Sequence, residues 1–218
     1  MRAHSFPRLL AAAIVAGSAF SIPAGPARAD LVAPSAAVDE ANDPAARPVR
    51  SFYDALLYAM KHAKQLGVNG RYKHLEPAIA QAFDMETMTK LIIGEDWKGL
   101  SDTDRKQLVA AFRRVTVADY AHNFDDYGGE SFVIGRIDDR SGDKIVSTQM
   151  VIPGKAPIAF GYRMHKGTAG WRIIDIYLNG YISEVATRRS DFASTMKSGG
   201  ASALTAKLEQ MAEETLKN

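Results

Sequence analysis

The apolar residues of this 218-residue chain switch from a helical to a strand spacing at Gly128-Gly129, and that change restricts the fold more than any single motif. Before it they recur every three or four residues, the period of a helix with one buried face. Val49, Phe52, Tyr53, Leu56, Met60 and Ala63 predict an amphipathic helix from Val49 to Gly67. A short second helix is predicted over 71–82. Asp84 is placed to cap a third, with Met85, Met88, Leu91 and Ile92 inside and an end near Gly94. Ser101 with Asp104 has the pattern of a capping box. It opens a long helix whose stripe is Val109, Phe112, Thr116, Tyr120 and Phe124, running to the glycine pair.

Beyond the glycines the period falls to two, which predicts strands over 130–139, 144–152, 157–166 and 171–178. The turn-rich separators between them are short, so the pairing should be antiparallel. Val146, Thr148, Met150 and Ile152 share one face of the second strand, and Ile158, Phe160, Tyr162 and Met164 one face of the third. Ile174, Ile176 and Leu178 do the same in the fourth. Two helices are expected near 183–197 and 201–216. Helices, then a four-stranded antiparallel sheet, then helices give an α+β domain with one sheet face covered.

The first twenty-nine residues read as an address instead of a structure. Arg2 and Arg8 precede an uncharged run from Leu9 to Phe20, and Ala27-Arg28-Ala29 forms a small-residue cleavage site before Asp30. The run is too short for an ordinary membrane span. Secretion with cleavage between Ala29 and Asp30 would leave the mature chain 24 basic against 25 acidic residues. The formal charge of +2 therefore belongs to the leader, and nothing favours a nucleic-acid partner. Residues 30–48, rich in Ala, Pro and Asp, read as a disordered lead-in to one domain over 49–218.

Motifs that carry chemistry are scarce. The chain has no cysteine, which removes disulfides, thiolate metal sites and cysteine nucleophiles. His62, His74, His122 and His165 lack metal-ligand spacing, and no phosphate loop, dinucleotide fingerprint or G-x-S-x-G is present. Asp175, in Trp171-Arg-Ile-Ile-Asp-Ile-Tyr-Leu178, has two readings. It is a structural acid paired with Arg163 or Arg172, or a general base in a cone-shaped pocket. The conspicuous residues are aromatics and methionines, which supply either a filled core or a pocket for a greasy ligand.

Phe83-Asp84-Met85 leads to Gly94 and Trp97, and Phe112 and Tyr120 sit in the long helix. Tyr127-Gly-Gly-Glu130 precedes the strands; Pro157-Ile158, Tyr162-Arg163-Met164, Trp171 and Asp175 mark two of them. Gly180, Ser183, Arg189, Ser190 and Phe192 run on to Gly200 and Leu204. Taken in order, these weak elements cover about 48–208 and resemble the MlaC family, the toluene-tolerance ABC-transporter auxiliary proteins that carry lipid across the periplasm. Two positions depart from the pattern. Arg188 stands where a tyrosine is usual, and one extra residue separates Gly180 from Ser183. The stretch Gly180 to Phe192 looks more like the hopanoid-associated HpnM branch.

The resemblance implies an NTF2-like fold with an apolar cavity between helices and sheet, and no catalytic residue, metal or cofactor. Phe83, Met88, Leu91, Phe112, Tyr120, Phe124, Val146, Met150, Phe160, Tyr162, Met164, Ile174 and Ile176 would line that cavity. The implied cargo is a membrane lipid, a hopanoid or a phospholipid. The implied partners are an inner-membrane RND-type or ABC-type exporter and an outer-membrane acceptor. Two other classes compete: a small NTF2-like enzyme using Asp175 or Tyr162 on a hydrophobic substrate, and a lipid-free adaptor with a filled core.

Overall fold

The computed structural model describes residues 42–217 of the chain; the secretory leader and most of the lead-in expected from the sequence lie outside them. Helix α1, Ala46–Lys61, begins three residues earlier than its apolar period suggests and ends at a break at His62, not at Gly67 as that period predicted. Asp43 anchors this start: its carboxylate accepts from the Ala45 N–H at 2.8 Å and pairs with Lys144 on the sheet. Helix α2, Ala63–Ala82, kinks at Gly67, whose φ of 61° suits a residue without a β-carbon. Arg71, inside α2, is buried and donates to the Ala63 and Ala121 carbonyls, tying this helix to the long one.

Helix α3, Met85–Ile93, has the expected cap, with the Asp84 carboxylate accepting from the Thr87 N–H at 2.9 Å. A 3-10 turn, Gly94–Gly99, leads to α4, Asp102–Asn123. Ser101 caps α4 through the Asp104 N–H at 3.1 Å. The Asp104 carboxylate bonds the Ser101 hydroxyl, so the full reciprocal box does not form. The helix stops at Asn123, short of the glycine pair. Asp125 and Asp126 follow, and negative charge is disfavoured at a helix C-terminus.

The sheet is an antiparallel meander in chain order: β1 Ser131–Arg140, β2 Asp143–Val151, β3 Ile158–Gly167, β4 Gly170–Leu178 and a two-residue β5, Ile182–Ser183. The short fifth strand is too brief to leave a period in the sequence. Helix α5, Glu184–Lys217, contains both expected C-terminal helices joined across a kink at Gly200. Among the described residues, α1, α3, α4 and the start of α5 meet the same sheet face, the one carrying Phe132, Phe160, Tyr162 and Ile176. Tyr53 of α1 stacks on Phe132 of β1 with ring centroids 4.2 Å apart, and its hydroxyl bonds Thr148 of β2 at 2.6 Å.

One register detail corrects the sequence reading. Tyr162 pairs with Ile176 and Arg163 with Asp175, but Met164 pairs with Ile173. Ile174 is thus the extra residue of a β-bulge, and Ile173 takes the helix-facing place that strict alternation gives to Ile174. Accordingly Ile173 joins the main apolar cluster and Ile174, though buried, does not.

Candidate functional site

Between the helices and the sheet runs a narrow slot whose wall is almost wholly apolar. Helix spacing explains which side chains reach it. Tyr53 and Leu56 come from α1, Met85, Met88 and Ile92 from one face of α3, and Phe112, Thr116, Asp119, Tyr120 and Asn123 from one face of α4. Phe83 sits at the junction of α2 and α3, held by a backbone hydrogen bond from Asp84 to the Ile173 carbonyl. The sheet contributes Phe132, Phe160, Tyr162 and Ile176, and Phe124 closes the end of α4.

The aromatic rings brace one another. Phe52 meets Phe83 and Tyr120 edge-on, each with centroids 5.1 Å apart, and Tyr120 stacks on Phe124 at 5.7 Å. Tyr53 meets Tyr162 edge-on at 5.8 Å. Such pairs fix ring orientation beyond what burial alone does. Burial keeps their phenols neutral, pushing Tyr53 up to about 12 and Tyr162 well above the usual range. Neither hydroxyl is set up to take a proton near neutral pH.

The slot is tight. Its volume is about 80 Å³, below the roughly 300–1,000 Å³ of sites that swallow a small molecule. An apolar guest of lipid size must therefore push the walls apart. Met85 and Met88, unbranched and adaptable, stand where such movement is least costly.

Of the residues expected at the cavity, Phe83, Met88, Phe112, Tyr120, Phe124, Phe160, Tyr162 and Ile176 are on its wall. Leu91, Val146, Met150, Met164 and Ile174 are not. The bulge displaces Ile174, and Leu91 is turned about 100° around α3 from its neighbour Ile92 on the wall. Val146 and Met164 face the helices but are packed solid, with no exposed surface. Sequence reasoning left out Tyr53, Leu56, Ile92 and Phe132, whose periods fitted plain core.

It also overlooked three charged residues on the same wall, Asp119, Glu184 and Arg188. Arg188 donates from Nε to Glu184 at 2.7 Å and from Nη2 to Asp119 at 3.3 Å. Burial raises the Asp119 carboxyl to about 7, with Arg188 opposing and Glu184 adding to the rise. Burial also raises Glu184, again against the pull of Arg188. The available signal was phase: Thr116, Asp119 and Asn123 interrupt the apolar stripe of α4 on its inner side.

Asp175 has a structural task. Its carboxylate accepts from the Ile176 N–H at 2.8 Å, the Ser183 hydroxyl at 2.6 Å and the Val185 N–H at 3.1 Å, fastening the start of α5 to β4. Its partners are these groups, not the expected arginines; Arg163 pairs with Asp143 instead. Among the described residues no helix is long and apolar enough to cross a membrane, and no cluster of three or more His, Asp or Glu is placed to hold a metal ion.

Comparison with known proteins agrees with this architecture. A solved phospholipid-binding protein from Ralstonia solanacearum, in complex with a phospholipid, superposes with a TM-score of 0.69 at 20% identity, over 78% of this chain and 98% of that one. The fold is therefore shared with that protein. The sequence model of the MlaC protein family matches residues 50–210, which spans α1 through most of α5. On fold, slot and sequence together, the chain belongs to the MlaC family.

Proposed function

We propose that this protein is a periplasmic lipid carrier that shuttles a hopanoid-type lipid between the inner and outer membranes. The observation that carries the reading is the apolar slot itself, walled by adaptable methionines and braced aromatic rings. A lipid with some 30 tail carbons pays roughly 24 kcal/mol on entering water, at about 0.8 kcal/mol per methylene. A carrier has to approach that figure without exceeding it, so that loading and release both proceed. A slot with few polar contacts meets this requirement and uses neither nucleotide nor metal. Directionality then comes from the membrane partner, an RND-type or ABC-type exporter, or from a lipid gradient to an outer-membrane acceptor.

The hopanoid reading draws on the likeness of residues 180–192 to the HpnM branch, and on the narrowness of the slot. A rigid polycyclic body loses little rotamer freedom on entering such a space, whereas two acyl chains lose more. A phospholipid cargo is the second reading, favoured by the phospholipid bound in the Ralstonia solanacearum neighbour. A catalytic role finds less support, because Asp175 is engaged in fastening α5 and the Tyr162 phenol is held neutral.

Native mass spectrometry of gently purified mature protein, with solvent extraction of what it holds, tests the proposal. One lipid per chain is expected, its mass separating hopanoid from phospholipid, and Asp175→Asn should retain it. Protein that emerges lipid-free and takes none from vesicles would overturn the carrier reading.

A further inference from the structure

The charged trio on the slot wall is out of place in a purely apolar conduit. Asp119 is 7% exposed and Arg188 8%, so these charges are held away from bulk water at considerable cost. Among the described residues Arg188 is the only basic side chain on the wall, and it serves two carboxylates. Each acid gives it one oxygen: Oδ2 of Asp119 and Oε1 of Glu184. Among the described residues nothing donates to Asp119 Oδ1 or Glu184 Oε2. The residues lining an otherwise apolar slot therefore carry two carboxylate oxygens with no donor among the described residues, beside a cation whose charge is already matched.

We infer that this trio recognises the hydroxyl-bearing end of an uncharged lipid and discriminates against a lipid whose head is an anionic phosphate. A hydroxyl donates to the unpaired carboxylate oxygens without adding charge. A phosphate brings negative charge beside two acids that already occupy the one guanidinium. The upward shift of Asp119 is consistent with this: burial penalises negative charge at this wall first, and Glu184 adds to the penalty against the pull of Arg188. The inference rests on the carrier reading and deepens it, by naming the class of head group that the wall selects.

The test uses a pair of lipids with identical tails, dioleoylglycerol and dioleoyl phosphatidate, present in equal amounts in phosphatidylcholine vesicles. Mature protein is equilibrated with the vesicles at pH 8.5, where the Asp119 carboxyl, raised to about 7, is ionised, and bound lipid is read by native mass spectrometry. Dioleoylglycerol should exceed phosphatidate by roughly tenfold or more, the factor that one hydrogen bond to a charged acceptor supplies. In Asp119→Asn, which keeps the size of the side chain but releases Arg188 from one acid, the ratio should fall toward unity or invert. Glu184→Gln gives an independent second variant, with the same expectation. Phosphatidate bound equally or in excess by the unaltered protein overturns the inference while leaving a carrier in place. So does an unchanged ratio in both variants, or phosphatidylcholine bound alone. No lipid of any kind on the protein removes both.

Discussion

The helix-facing side of the sheet contains two regions built from the same kinds of residue but packed differently. At one end Met164 and its cross-strand partner Ile173 are fully buried and locked under the helices. One step along, Tyr162 and its partner Ile176, with Phe160 beyond, face the slot. Both regions share a strand, a face and an apolar period. What separates them is what stands opposite: α1, α3 and α4 face the second region across the slot, whereas Met164 and Ile173 are packed with no exposed surface. The lesson is that an apolar face has no intrinsic meaning as core or pocket. The facing element decides.

The sharpest way to break this comparison is truncation at each end. Met164→Ala should cost about 2–5 kcal/mol, as in a close-packed core, with no change in lipid bound per folded molecule. Urea unfolding and solvent extraction read the two quantities. Phe160→Ala, on the slot wall, should fall at or below the lower end of that range, about 2 kcal/mol, because its ring already borders empty space. It should instead reduce lipid retention severalfold. Equal stability losses with lipid unaffected in both would erase the distinction between the two regions.

The polar wall sharpens it through pH. The Asp119 carboxyl is raised from 3.8 to about 7 in the folded protein. Between those values the folded chain holds a proton that the unfolded chain has lost, so stability declines as pH rises from about 4 to 7. Asp119→Asn should flatten that decline. Its gain above pH 7 should be on the order of 2 kcal/mol, less than the full shift implies, because Arg188 loses a charged partner. Thermal melts at pH 4.5 and 8 measure the difference, and a steeper decline in the variant would contradict the assignment. The smallest effect is expected off the slot. Ser183→Ala removes the hydroxyl that accepts from the Ala186 N–H and donates to Asp175, and should cost about 1 kcal/mol with lipid binding intact.

Local chemistry was legible in advance wherever a short-range rule governed it. The Asp84 and Ser101 caps, the breaks at Gly67 and Gly200, and the faces of β2 and β3 all follow from residues within a few positions of one another. The fourth strand was misread because a bulge leaves no mark in an apolar run such as Ile173-Ile174; either residue could face in. The start of α1 was missed because Asp43 gains its anchor from Lys144, a hundred residues away. For the site, eight expected wall residues reach the slot, while Val146 and Met164 show the same period and do not. The charged trio lay beyond pattern reading for a related reason. Asp119 and Arg188 meet only because α4 and α5 pack side by side.

Photocrosslinking with a lipid carrying a reactive group in its apolar body, followed by peptide mapping, tests the location of the cargo most directly. The account predicts labels on Met85, Met88 and Ile92 of α3 and on Phe160 of β3, competed away by unlabelled lipid. Labels confined to the outer sheet face around Val133 and Tyr177, with the α3 methionines untouched, would contradict it.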